Sequence, residues 1–321
     1  MNLKQLVKSF IKSAFEKYYG GYIKKVKENI LNNEKYVAID VGAANGIQSW
    51  WYEVLEFATI YAYEPNKKSS KQLKEMYKGY DYNVIEEGLD VSSSEKTIYL
   101  TNVPTGSSLL KPNILYQYTD PSYMSPYKED SIMTYSAQES FINNHIEDID
   151  LMKIDTQGTE LNILKGLGNN YTNKLLAVEF EAGLPGGYEE QPTFLEVHEY
   201  MVKNNFELFD LRSSRSNMFF KKKPPYQKEH KVSKKIHEVD VLYFKSLEYI
   251  LKNNDSAKLR KLIMSYCVYN FFDEALFAIA EAERQKIWTE NESKLIYDAV
   301  VEWHDAKSVF FGSYLWFNYS E

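Results

Sequence analysis

The chain has 321 residues, 44% hydrophobic and 26% charged, which is ordinary for a folded soluble protein and long enough for one large domain or two modest ones. Its sole cysteine, Cys267, excludes an internal disulfide and a cysteine-based metal cluster and fits a reducing cytoplasm. No apolar stretch approaches bilayer-spanning length, and Lys4, Lys8 and Lys12 interrupt any signal-peptide core.

The net charge of −7 is unevenly spread. Residues 1–31 hold seven lysines against Glu16 and Glu28, and residues 221–235 hold seven against Glu229. Two basic patches on an acidic body imply either anionic partners at those patches or plain solvated lysines.

In chain order, Leu3, Leu6, Val7, Phe10, Ile11, Ala14, Phe15 and Tyr18 recur at helical spacing and predict a basic amphipathic helix over 3–31, bent at Gly20-Gly21. Such a helix packs its stripe on its own domain or lies on a membrane surface, here the inner face. Strands are then expected at 36–40, 58–63, 82–86, 97–101, 149–154, 175–181, 206–211 and 239–244. Helices are expected at 46–56, 66–78, 135–145, 159–167 and 192–204. Strands alternating with helices predict an α/β fold with a mostly parallel sheet covered on both faces. After Lys245 only helical patterning follows, read as a small appendage for dimerisation or partner docking. The domain limits are therefore 1–32, 33–245 and 246–321.

Four motifs carry chemistry. VAIDVGAANG, 37–46, ends a strand at Asp40 and turns through Gly42 and Gly46, which lets a ligand approach the backbone or simply makes a tight turn. The spacing is not GxGxxG and suits a nucleoside better than a pyrophosphate. TIYAYE ends in Glu64, placed to accept ribose hydroxyls, with Pro65 stopping the strand. In EEGLDVSSS, Leu89 is placed to stack on a base and Asp90 to bind its amino group; a plain turn is the alternative. In DLMKIDTQGTELNILKG, 150–166, Asp155 ends a central strand just before a helix, where open α/β sheets put their reactive groups.

These elements in this order resemble the FkbM-type methyltransferases, S-adenosylmethionine-dependent O-methyltransferases. The resemblance runs from about Val37 to Lys245 and rests on IDVGAANG, YAYEPN, the Ser107-Ser108-Leu109 patch, HEVDVLYFK and above all LMKIDTQGTELNILKG, where the family reads close to KIDVEGAE. The family commonly has DVGANxG; here Ala44 stands in the Asn place and Asn45 comes one later. The resemblance implies a Rossmann-like, seven-stranded class I methyltransferase sheet whose last strand runs antiparallel beside the fifth. It also implies S-adenosylmethionine as cofactor, held around Asp40, Gly42, Ala43, Gly46, Glu64, Pro65, Leu89, Asp90 and Asp155, and hydroxyls of sugars or of other natural products as acceptors.

Methyl transfer needs an aligned hydroxyl and a group that takes its proton. Asp155 is the first choice for that role, with Lys153 and His198 beside it as candidates. Glu179 and Glu181, with Ser107, Ser108, Gln157 and Tyr188, are expected around the acceptor. Asp155 and Glu179 are the oxygen ligands on offer should Mg²⁺ take part, an option not favoured. The acceptor pocket is expected from 102–134 and 182–192, with Tyr116, Tyr118, Tyr123, Tyr127 and Tyr188 stacking on a sugar. The excursion 212–238, with Arg212, Arg215 and its lysines, leaves from the site's rim and suits an anionic acceptor such as a nucleotide-sugar or acidic glycan. DPSY and KPPY are incomplete, misplaced versions of an amino-methyltransferase motif, so no nucleic-acid partner is expected. A cofactor-fold scaffold without turnover and a nicotinamide oxidoreductase are the competing classes.

Overall fold

The computed structural model describes residues 28–102, 104–113, 126–184, 187–214 and 238–311. The helix expected over 3–31, apart from one helical turn at 28–31, lies outside the described residues. So do Tyr116, Tyr118, Tyr123, Arg215 and the lysines of the basic excursion.

In chain order the strands are β1 (Tyr36–Val41), β2 (Ala58–Tyr63), β3 (Tyr82–Ile85), β4 (Gly88–Asp90), β5 (Ser94–Thr101), β6 (Pro126–Ser136), β7 (Leu151–Ile154), β8 (Ala177–Gly183), β9 (Phe206–Ser214) and β10 (Glu238–Lys245). Seven of them form one sheet in the order β3-β2-β1-β7-β8-β10-β9. Every pairing is parallel except the two made by β10, which runs antiparallel between β8 and β9. Strands buried on both faces read as continuous apolar runs, and all six residues of β1 are buried.

The helices are α1 (Lys67–Met76), α2 (Ala137–Asn143), α3 (Glu160–Gly166), α4 (Gly168–Lys174), α5 (Phe194–Lys203), α6 (Leu247–Lys252), α7 (Ser256–Val268), α8 (Phe272–Arg284) and α9 (Glu290–Phe311). Alternate residues of a strand face opposite sides of a sheet. Val37, Ile39, Val41, Met152, Ile154, Val178, Phe180 and Tyr243 meet Phe141, Leu161, Leu164, Tyr171, Val197 and Met201 of α2–α5 on one side. Tyr36, Ala38, Leu151, Ala177, Leu242 and Phe244 meet Leu259, Leu262, Tyr266, Ile279 and Trp303 of α7–α9 on the other.

The carboxyl-terminal helices are thus one of the two layers covering the sheet, not an appendage beside it. Burial is backed by polar ties across the chain. Tyr36 Oη and Ser265 Oγ lie 2.7 Å apart. Lys258 and Lys261 of α7 each reach both Asp148 and Asp150, just before β7, at 3.0–3.1 Å.

Three local expectations are corrected. The helix expected at 46–56 is two 3-10 turns, Ser49–Trp51 and Val54–Glu56. The strand at 97–101 begins at Ser94 and lies in a second sheet of order β4-β6-β5. Within the insertion read as pocket loop, Pro126–Ser136 is an eleven-residue strand, and EEGLDVSSS contributes β4. Alternating polar and apolar residues in SEKTIYLT and SIMTYS carry the pattern of a half-exposed sheet, which the sequence reading did not extend that far.

Candidate active site

The carboxyl edge of the main sheet gathers the charges. Register places Asp40, Lys153 and Glu179 side by side on β1, β7 and β8, all facing the α7–α9 layer. Lys153 Nζ lies 3.3 Å from Asp155 Oδ2 and 4.0 Å from Asp40 Oδ1. Burial works against the Lys153 charge, but Asp40, Asp155 and Glu179 outweigh it and hold the ammonium above the ordinary lysine range. Lys153 is therefore a fixed cation between two strand-end carboxylates.

The turn after Asp155 is locked from within. Gln157 has φ +61° and Gly158 φ +111°, left-handed conformations that the turn requires. Buried Glu160 holds it by accepting from the Thr156 and Gly158 N–H groups, both at 3.1 Å, and from the Thr156 hydroxyl. Gln157 Nε2 donates to Asp155 Oδ1 at 3.1 Å. Both oxygens of Asp155 thus have one donor each, while its side chain stays 38% exposed toward the edge.

Of the residues expected around an acceptor, Ser107, Ser108, Gln157 and Tyr188 are brought together. The Tyr188 hydroxyl bridges Gln157 Oε1 at 2.9 Å and the Gly106 carbonyl at 3.0 Å. Ser108 Oγ donates to the Gln157 carbonyl at 2.8 Å, and Ser107 Oγ accepts from Thr101 N–H. Backbone bonds from Asn113 to Gly187 and from Glu189 to Lys111 pair the two insertions. A continuous hydrogen-bonded line therefore runs from Lys153 through Asp155, Gln157 and Tyr188 to the 106–108 segment. Tyr127, also expected there, is exposed on β6.

On the other side of Lys153 lies the nucleoside-type corner. Gly42 and Gly46 have φ +82° and +76°, but each is demanded by the protein itself. A β-carbon on Gly42 would sit 2.0 Å from the Asp155 carbonyl oxygen, and one on Gly46 2.4 Å from Tyr77 Oη. Ala43 is buried against the α7–α9 layer, and its N–H, like that of Gly42, donates to the Tyr63 carbonyl. Glu64 is buried at the end of β2, followed by half-buried Pro65, and its Oε1 accepts from Asn66 N–H at 2.7 Å. Burial raises the Glu64 carboxyl, the Asn66 bond opposes this, and the Asp40 charge adds to the rise, so the two acids share one corner. The buried Tyr82 hydroxyl in this corner has no partner among the described residues. An acid oxygen and a hydroxyl left over beside a glycine turn fit a ribose.

Four expected roles do not survive. His198 Nδ1 bonds the Tyr243 hydroxyl at 2.9 Å, and Tyr243 faces the α2–α5 layer, so the sheet separates His198 from Asp155. Leu89 is buried in that same layer, with no open face for a base. Asp90, 1% exposed, is ion-paired with Lys96 of β5. Glu179 is engaged on both oxygens: Oε1 takes Arg212 at 3.1 Å, and Oε2 takes Trp50 Nε1 at 3.0 Å and the Tyr269 hydroxyl at 2.9 Å. It is neither a free substrate ligand nor a metal ligand partnering Asp155. Among the described residues no group of three His, Cys, Asp or Glu side chains could hold a metal ion.

Glu181 does stand at the rim. Burial, then the hydrogen-bonded neighbour Glu238, push its carboxyl well above the usual range. Asp240 stands beside them, opposite Arg212, and burial pushes its carboxyl up to about 6 against the pull of Arg212. Arg212 is neutralised by Glu179 and by Asp210 at 3.0 Å. Sequence reasoning missed Trp50, Trp51, Tyr269 and Glu160. The Trp pair directly after the glycine turn was the available signal for the first two; nothing local marks Tyr269. A cavity of about 570 Å³ lined by Lys35, Ala58, Thr59 and Asp81 lies at the opposite, amino-terminal edge and is no part of this site.

A seven-stranded sheet in this order, with the seventh strand reversed and acids closing the first two, is the class I methyltransferase fold. The description Methyltransferase FkbM domain matches residues 40–208, more than half of the chain, and the chain belongs to that family. No curated protein matches it. Among solved structures it is similar to TrmK of M. capricolum in complex with S-adenosyl-homocysteine, at 11% identity and a TM-score of 0.35 over 89% of this chain and 96% of that one. An rRNA methylase from Streptococcus thermophilus is 11% identical, with a TM-score of 0.32 over 71% and 97%. A SAM-dependent methyltransferase from Agrobacterium tumefaciens is 8% identical, with a TM-score of 0.35 over 70% and 61%. These likenesses are too distant to bear on substrate.

Proposed function

We propose that the protein is an S-adenosylmethionine-dependent O-methyltransferase acting on a hydroxyl of a sugar, nucleotide-sugar or surface glycan. One observation carries the reading: the Lys153–Asp155–Gln157–Tyr188 line joins the acid corner of Asp40 and Glu64 to the paired insertions. Glu64 would hold the ribose beside the Gly42 turn. The donor supplies an electrophilic methyl group on a sulfonium.

Asp155 would take the proton of the acceptor hydroxyl as that oxygen is methylated. Lys153 and Gln157 fix the carboxylate's orientation with one donor to each oxygen. Tyr188 and Ser108 tie the acceptor-side loops to the Gln157 turn. No metal is assigned, because both Glu179 oxygens are taken.

An anionic acceptor is favoured by the excursion. Ser214 and Glu238, the described residues on either side of the excursion, pair at the carboxyl edge, and the sequence between them holds seven lysines at 221–235. The described rim is acidic and Arg212 is neutralised, so positive charge for such an acceptor comes from those lysines.

Calorimetric titration with S-adenosylmethionine, S-adenosylhomocysteine and NAD tests the reading. Binding of the first two alone supports it, and binding of NAD contradicts it. Binding without turnover on glycan extracts favours a scaffold role.

A further inference from the structure

The chain from Gly46 to Phe57, which leaves the glycine turn and crosses the carboxyl edge toward β8, lacks the helix its sequence predicts. It is two 3-10 turns whose Trp51, Tyr52, Val54, Leu55 and Phe57 are buried in one cluster with Tyr266, Phe272 and Trp303 of α7–α9. Short 3-10 pieces have few bonds of their own, so what fixes this loop must come from elsewhere.

Three polar ties supply it. Trp51 Nε1 donates to the Tyr269 hydroxyl at 3.0 Å. That hydroxyl donates in turn to Glu179 Oε2, which also accepts from Trp50 Nε1. The third is a nearly buried ion pair, Glu53 Oε2 with Lys307 Nζ at 3.0 Å, and Lys307 also binds the Cys267 carbonyl at 2.9 Å. Tyr269 and Lys307 lie some sixty and a hundred residues beyond the family match, which ends at 208.

We infer that the carboxyl-terminal helices are a working part of the cofactor side of the active site, with Tyr269 and Lys307 as positioning residues that hold the 46–57 loop against Glu179. The role assigned to the loop's ligand rests on the proposed function; the anchoring does not. Tyr269→Phe keeps the ring and deletes the hydroxyl that joins Trp51 to Glu179. It should speed amide exchange at 46–57 and weaken S-adenosylmethionine binding about fivefold or more, because the competent loop is less populated. Ser265→Ala, one turn earlier on the same helix, loses a buried bond to Tyr36, whose ring meets the loop at its last residue, Phe57, and leaves the Trp50, Trp51 and Glu53 ties in place, so both readouts should stay within twofold. Trp51→Phe should reproduce Tyr269→Phe, and the double variant should add little to either.

Unchanged exchange at 46–57 in Tyr269→Phe, or equal effects of Ser265→Ala on exchange and binding, overturns the inference. A wild-type protein that fails to bind the cofactor while Tyr269→Phe still loosens 46–57 refutes the proposed function and leaves the anchoring intact.

Discussion

Asp150→Asn is the sharpest test of how the helical layer is joined to the sheet. Asp150 has no exposed surface. Its Oδ1 faces Lys258 at 3.0 Å, and its Oδ2 faces Lys261 at 3.1 Å and the Val37 N–H at 2.9 Å. At Asp150 itself burial outweighs the pull of Lys258 and Lys261 and raises the carboxyl, whereas at neighbouring Asp148 burial is outweighed by the two ammonium groups, which hold the carboxyl below its usual range. Burial likewise opposes the Lys261 charge, and Asp150 and Asp148 outweigh it and hold the ammonium above its usual range.

The amide keeps the shape and an acceptor for Val37, but leaves two enclosed ammonium groups sharing one carboxylate. Breaking a buried pair by neutralising one partner costs about 3–5 kcal/mol. At roughly 2 °C per kcal/mol for a chain of this size, the midpoint should fall by about 6–10 °C. Denaturant unfolding of Asp150→Asn, Lys261→Met and the double variant closes a cycle whose coupling should be about 2 kcal/mol or more. A loss under about 1 kcal/mol, or a coupling near zero, refutes the clamp. The sign with pH follows. The Asp148 contribution is present above the ordinary aspartate range and lost as pH falls through its lowered value; that of Lys261 is present below the ordinary lysine range and lost as pH rises through its raised one.

Other outcomes are equally specific. Buried Lys245 donates to the Thr172 and Asn204 carbonyls, and burial, with the Lys258 charge, pushes its ammonium down to about 7. Between that value and the ordinary value of about 10.4 the unfolded chain holds a proton that the folded protein lacks, so this group makes stability rise with pH there; Lys245→Met should flatten that slope in denaturation at stepped pH. Gly42→Ala drives a methyl into the Asp155 carbonyl at a left-handed φ and should abolish cofactor binding or folding, read by calorimetry and circular dichroism. Asp155→Asn should lower methyl transfer about a hundredfold or more while leaving cofactor affinity within threefold. Neutralising Lys221–Lys223, Lys234 and Lys235 should raise the acceptor KM and flatten its dependence on salt in initial-rate measurements.

The sheet was legible because β1, β2, β3, β7 and β8 are short apolar runs that end in or run into glycine or an acid, and each became a strand. The reversed seventh strand and its place beside the fifth came from resemblance, not from periodicity. The line from Lys153 to Tyr188 was legible in composition: every member except Gly106 had been singled out, though not the bonds between them. What failed had non-local causes. Asp90 looks like a base-binding acid until β5 returns to bring Lys96 against it. Glu179 looks like a free strand-end acid until Trp50, Arg212 and Tyr269 converge from three separate segments. The helical layer looked like an appendage because its ties join residues far apart in the chain, Tyr36 to Ser265 and Glu53 to Lys307, which no local pattern records.

The most direct measurement is electron density for S-adenosylhomocysteine in crystals of the protein. The account predicts ribose hydroxyls on Glu64, with the sulfur turned toward Asp155. Density at another edge of the sheet, or a ribose that leaves Glu64 unengaged, would contradict it.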